Sequence, residues 1–351
     1  MSTFAAFSEQ PEAKRLLGAA LTEGPAHAYL FHGPHGVGKR SFARAFGRGL
    51  ICTERQVHPD LYELEALGEM IRIDAIRELR RDLHMRPFEA DRRVYLVHDA
   101  HLLNEDAADA LLKDLEEPPP YAVIVLVADD LGPIPATIRS RCQLVPFRRL
   151  SERAVRAVVD ARVPELDDER RTALARVAGG RLDRLERLLD PNEVARRTRL
   201  LDQARAVYRE PAFEPAAAAA ALLENAHERG ADARDLEEAK VSALDLPTRE
   251  AEQRLRRAQR GAEREELLAQ LEELAAWYRD LVAVAVGAEQ TAVHLDRLEE
   301  LRADATRERL LGAERAAEAV RETWRRLEEF NLAPQLALEA LFVRLARELS
   351  R

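Results

Sequence analysis

A chain of 351 residues, 46% hydrophobic and 33% charged, with a formal net charge of -9 at pH 7, has the length of about two or three domains and enough apolar side chains to exclude a wholly disordered protein. Its longest apolar runs fall far short of the roughly 18 to 20 residues that span a bilayer. The opening MSTFAAFSEQPEAKRLL lacks a basic start and apolar core, so neither a membrane span nor a secretory signal is expected and a cytoplasmic location is. Two cysteines, Cys52 and Cys142, exclude a disulfide framework and a four-cysteine zinc site. Neither residues 1–150 nor the remainder carries net positive charge, which excludes a strong autonomous DNA-binder, so any nucleic acid is reached through a complex.

In chain order, β-branched or aromatic runs occur at Tyr29–His32, Leu61–Leu64, Val94–His98, Ala122–Ala128 and Gln143–Phe147. Helical patterns lie between them, such as Ile73, Ile76, Leu79 and Leu83 at three- and four-residue spacing. The alternation predicts an α/β domain over 1–150, a parallel sheet with helices on both faces. From Ser151 the strand signal disappears. Residues 151–209 read as a small helical lid domain of short helices broken by Pro164, Gly179-Gly180 and Pro191. The charged, alanine-rich stretch 210–262 leaves helical hairpins and a partly ordered linker both open. Over 263–351 the stripes Leu267, Leu271, Leu274, Tyr278, Leu281, Ala285 and Leu338, Leu341, Leu345, Leu349 predict an all-α bundle.

Between the first strand and its helix stands Gly33-Pro-His-Gly36-Val-Gly38-Lys39, a match to G-x-x-x-x-G-K. Such a loop wraps backbone N–H groups round phosphate oxygens at a helix N-terminus, and the lysine adds a point charge. The next position should be Ser or Thr to hold magnesium, and here it is Arg40. Ser41 points about 100° away on a helix of 3.6 residues per turn and cannot substitute. The strand ending Val97-His98-Asp99 supplies one magnesium carboxylate, but Ala100 stands where a second would orient water. The next strand ends in Asp129-Asp130, where carboxylates would repel a γ-phosphate. Intrinsic hydrolysis is not expected. Residual ATP or ADP binding and a loop kept for its shape both remain open. His32, His35, His98 and His101 lie near these strand ends without a pattern that fixes a ligand set, and no metal is expected.

Further on come Ala107-Ala-Asp-Ala-Leu111-Leu112-Lys113-Asp-Leu-Glu116-Glu117-Pro118-Pro119 and Ser140-Arg141-Cys142. With these two motifs the chain resembles the clamp-loader AAA+ subunits of bacterial DNA polymerase III. The resemblance implies a RecA-like P-loop domain, a helical lid and a helical collar, the last matched at Ala276-Trp-Tyr-Arg-Asp280 and Asn331–Glu339. Arg40, Ala100 and a leucine, Leu182, at the place of the second-domain sensor arginine, with Arg181 one place off, are similar to delta-prime-type members, whose own ATP site is degenerate. They differ from gamma/tau motors, the alternative. What this implies is a stator beside gamma/tau and delta subunits, acting on the sliding clamp indirectly and on primer-template DNA through the complex. Arg141, flanked by Ser140 and Cys142, would be an arginine finger for a neighbour's ATP. The residues alone leave a solvated helix-end arginine equally open. The zinc module usual in the family is missing, with Cys52 alone in its place, and zinc is not expected.

Overall fold

The computed structural model describes residues 3, 4, 7, 9–55, 57–66, 68, 70–242, 247–329 and 332–350. By compactness the chain divides into two units, Met1–Glu165 with Ala178–Arg184, and Leu166–Val177 with Leu185–Arg351.

The first unit carries five parallel strands, β1 (Ala28–His32), β2 (Leu61–Leu64), β3 (Arg93–Val97), β4 (Ala122–Ala128) and β5 (Gln143–Pro146), in the order β2-β3-β4-β1-β5. Each begins and ends within one residue of its expected run. Because side chains alternate across a strand, Tyr29 and Phe31 of β1 with Val123, Val125 and Val127 of β4 enter one core. That core is completed by α1 (Pro11–Glu23) and by Phe42, Ala43 and Phe46 of α2 (Lys39–Leu50). Leu30, Tyr95, Val97, Ile124 and Leu126 enter the opposite core with α3 (Ile73–Leu83) and α4 (Glu105–Glu116). β4 is buried along its whole length, as a central parallel strand covered on both faces must be.

Parallel strands bring the loops after β1, β3 and β4 to one edge, the carboxyl edge where α/β sheets bind ligands. The loop into α2, Asp99 and Asp129 therefore meet there. The short α5 (Ala136–Arg139) precedes β5 and so lies toward the opposite, amino edge. α6 (Glu152–Arg162), capped by Ser151 Oγ on the Ala154 N–H at 3.1 Å, also falls in this unit. α7 (Asp168–Ala178) and α8 (Leu182–Leu189) are shared between the units, and α9 (Pro191–Arg209) belongs to the second. The stretch 151–209 is thus divided between the two.

In the second unit, α9 packs with α10 (Pro215–Val241), α11 (Thr248–Ala285), α13 (Leu310–Glu329) and α14 (Pro334–Leu349), while α12 (Leu298–Asp304) joins α11 to α13. Stretch 210–262, left open by the sequence, holds α10 and the start of α11, which run antiparallel: Arg234 pairs Glu252, Arg254 pairs Glu237, and Gln270 reaches the Leu222 carbonyl. The stripes on α11 and α14 face one core, with Leu271, Leu274, Trp277, Tyr278, Leu338, Phe342 and Leu345 fully buried. The conspicuous Trp277-Tyr278-Arg279-Asp280 run is largely packing. Trp277 Nε1 donates to Tyr208 Oη at 3.3 Å, Tyr278 Oη donates to the Ala204 carbonyl at 3.1 Å, and buried Asp280 accepts the N–H groups of Val293 and His294 at 2.8 Å each. Asn331 lies outside the described residues.

Candidate functional site

The loop leaves β1 at His32 and turns through Gly33 and Gly36, whose φ angles of 138° and 74° suit glycine. A Cβ at Gly33 would overlap the Phe147 carbonyl, and one at Gly36 would overlap the Asp183 carboxylate. Gly38 precedes α2, whose first residue is Lys39. Lys39 is buried, and its Nζ donates to the carbonyls of Gly33 and Pro34 at 2.6 Å each and to Asp129 Oδ1 at 2.7 Å. An ammonium has three donors, so all three are used within the chain. Burial pulls its pKa down, against the pull of Asp129.

His35 extends this cluster. Its Nδ1 lies 2.7 Å from Asp129 Oδ2 and its Nε2 3.4 Å from Asp183 Oδ2. Hydrogen bonds to Asp129 and Asp183 push the imidazole up to about 10, so the ring is cationic at neutral pH. Burial works to raise both carboxylates, but His35 with Lys39 at Asp129, and His35 with Arg181 at Asp183, hold each well below the usual range. Arg181 grips Asp183 at 2.7 Å, and the Leu182 N–H donates to the Gly36 carbonyl at 2.7 Å. On the other side of the loop, Arg40 Nη2 lies 2.5 Å from Asp99 Oδ2, and Ala100 is buried. Arg40 therefore brings a guanidinium to the carboxylate that magnesium would need. These residues do not fit a magnesium nucleotide as they stand: the lysine has no donor left, the metal's carboxylate is paired, and two carboxylates lie against the loop.

The four histidines go separate ways. His35 joins Asp129 and Asp183, and buried His98 directs Nε2 to Glu63 Oε2 at 3.0 Å. The Asp129 N–H donates to His101 Nδ1 at 3.3 Å, and His32 is held below its ordinary pKa by burial and by Lys39. Among the described residues the grouping with metal-ligand spacing is Glu63, Glu65 and His98. Arg44 already bridges its carboxylates, at 2.8 Å to Glu63 and 3.3 Å to Glu65, so a cation is built in.

Ser140 caps α5 and Arg141 follows it. Arg141 Nη1 donates to the Thr137 carbonyl at 2.8 Å, and Nη2 makes a short ion pair with Glu116 at the end of α4. The side chain is one-third exposed (33%). β5 pairs in parallel with β1, Gln143 opposite Tyr29 and Pro146 opposite His32. Arg141 therefore lies before the amino end of β5 while the loop leaves β1 at the carboxyl end, on the order of 10 Å apart along the strand axis at about 3.3 Å per residue. Cys142 packs against the core, and burial pushes its thiol up to about 12, so it is no nucleophile at neutral pH.

The roles of His35, Asp183 and Glu116 do not emerge from sequence reasoning. Asp129 does carry a signal, as a carboxylate where a neutral group belongs, but its pairing with His35 and Lys39 becomes visible only when the end of β4 is folded beside the loop.

Residues 9–151 match the family described as "DNA polymerase III, delta subunit". Over 197 residues the chain is 32% identical to the DNA polymerase III subunit tau of Bacillus subtilis, covering 50% of this chain and 35% of that one. It is 36% identical over 143 residues to the subunit tau/gamma of Haemophilus influenzae, covering 36% and 21%. The subunit gamma of Buchnera aphidicola is 33% identical over 143 residues, covering 36% and 39%. The matched stretch thus spans well under half the length of these relatives. Among solved structures, a DNA polymerase III gamma subunit-related protein from Thermotoga maritima aligns over 97% of this chain and 100% of its own, with TM-score 0.47 and 17% identity.

Proposed function

From residues 9–151 as a DNA polymerase III delta-subunit-like domain of the clamp-loader family, with AAA+ P-loop architecture and homology to gamma/tau, we propose that the chain is the delta-prime stator of a clamp loader. In this reading it works in the cytoplasm beside gamma/tau and delta subunits, helps load the sliding clamp on primer-template DNA through the complex, and hydrolyses no ATP itself. Arg141, with Ser140 and Cys142, supplies an arginine finger to the ATP of the adjacent motor, and the loop of Gly33, Gly36, Gly38, Lys39 and Asp99 is the degenerate counterpart. Zinc has no part.

The observation that carries the reading is the position of Arg141 at the amino edge of the sheet, away from the chain's own loop at the carboxyl edge. In this reading it faces away from the chain's own loop and serves a neighbour's nucleotide, with Glu116 and the Thr137 carbonyl keeping its planar fork oriented. Fingers supplied in trans are worth about 10³ to 10⁵ in rate. In a loader reconstituted with gamma/tau and delta subunits, Arg141→Ala is expected to lower the DNA-stimulated ATPase severalfold or more while assembly on gel filtration is unchanged. A mutant complex of undiminished ATPase removes the assignment.

The names of the relatives favour a second reading, a gamma/tau-like motor. It requires Lys39 and Asp99 to leave their partners, and steady ATP hydrolysis by the isolated chain would establish it over the stator.

A further inference from the structure

We infer that the P-loop is occupied by an internal salt, Asp129 and Asp183 as its anion and Arg40 as its metal-side cation, and that this salt latches residues 178–184 to the loop. Four observations carry the inference. Lys39, the group that would reach β- and γ-phosphates, spends its donors on Gly33, Pro34 and Asp129. His35, inside the loop, binds Asp129 with one nitrogen and Asp183 with the other. Gly36 leaves the room that a phosphate-binding glycine leaves, and the Asp183 carboxylate lies where its Cβ would be. Arg40 stands in the magnesium-binding Ser/Thr position and is paired with Asp99.

The charges nearly balance locally, four cations against three carboxylates. Lys39, His35, Arg181 and Arg40 face Asp129, Asp183 and Asp99, so all but one positive charge is neutralised without any ligand. A nucleotide brings several further negative charges and must expel two carboxylates that already hold the same donors. Arg40 cannot be displaced by magnesium without leaving Asp99 or introducing a second cation beside it. The backbone bond from Leu182 N–H to the Gly36 carbonyl closes the latch. The loop is held by its own chain, and the segment that would sense a nucleotide is fastened to it.

The inference does not depend on the arginine finger, since a loader indifferent to Arg141→Ala leaves it untouched. Its test uses the full chain with fluorescent ADP and ATP analogues, with and without magnesium. The native chain is expected to show no saturable binding up to millimolar nucleotide, and the double variant Asp129→Asn with Asp183→Asn should gain affinity by at least about tenfold, without requiring magnesium because Arg40 remains. Micromolar binding by the native chain overturns the inference, as does a folded double variant that binds no better. Because that variant could unfold, hydrogen exchange on the native chain provides a second reading. The Leu182 amide should be protected to the same degree as the amides of β1 without nucleotide, and exchange at the rate of an open loop overturns the latch.

Discussion

His35 lies between Asp129 and Asp183, and the two carboxylates raise its pKa from 6.5 to about 10. A folded-state pKa above the unfolded value adds stability that is complete below about pH 6.5 and disappears as pH rises through about 10. The melting temperature of the chain should therefore decline between pH 7 and 10, and His35→Gln should flatten that limb. Thermal melts of both proteins across that range check it, and parallel curves would refute the assignment. The carboxylates act in the opposite direction, with stability present above their ordinary values and lost only in strong acid. At Gly36 both the positive φ and the crowding by Asp183 forbid a side chain. Gly36→Ala should cost about 1–3 kcal/mol, the scale of backbone strain at such positions, read as a lowered urea midpoint. The spacing of Gly33, Gly36, Gly38 and Lys39 made the loop legible. What fills it was not, because Asp183 is 144 positions from Lys39 in sequence and no local pattern links them.

Among the elements, the central strands were legible nearly to the residue, because parallel strands buried on both faces must be apolar runs such as Ala122–Ala128, whereas the part-exposed edge strands β2 and β5 were marked by short runs of strand-forming residues. The stripes of α11 and α14 were legible for a different reason, burial on one face only. α10 was not. Its buried face is made mostly of small residues, Ala218, Ala219, Ala226 and Gly230, with Leu222, Glu237 and Val241, so its apolar stripe is weak. A Cβ at Gly230 would press on the Glu263 side chain, which would have to move aside. Burial in the core this helix shares gives a quantitative expectation: Phe342→Ala should destabilise the second unit by about 3–5 kcal/mol, with circular dichroism in urea as the measurement. A loss below about 1 kcal/mol would mean that α14 does not pack as described.

For the whole molecule, a ligand that binds only the folded state at a hundred times its Kd adds about 2.7 kcal/mol of stability. MgATP or MgADP at millimolar concentration is therefore expected to leave the melting temperature of the native chain unchanged. A clear upward shift would contradict a loop filled from within. The net charge of -9 gives the chain no general excess of cations to neutralise phosphates.

Having Arg141 at one edge of the sheet and a filled loop at the other makes the domain directional. Where P-loop domains stack head to tail, every seat is completed by the next chain. If Arg141 serves a neighbour as proposed, a domain of this build would complete that neighbour's nucleotide site and offer none, so a complex containing one copy would hold at least one nucleotide fewer than it has P-loop chains. Counting bound nucleotides against chains in the purified assembly, by native mass spectrometry, would therefore register the filled loop as a missing integer.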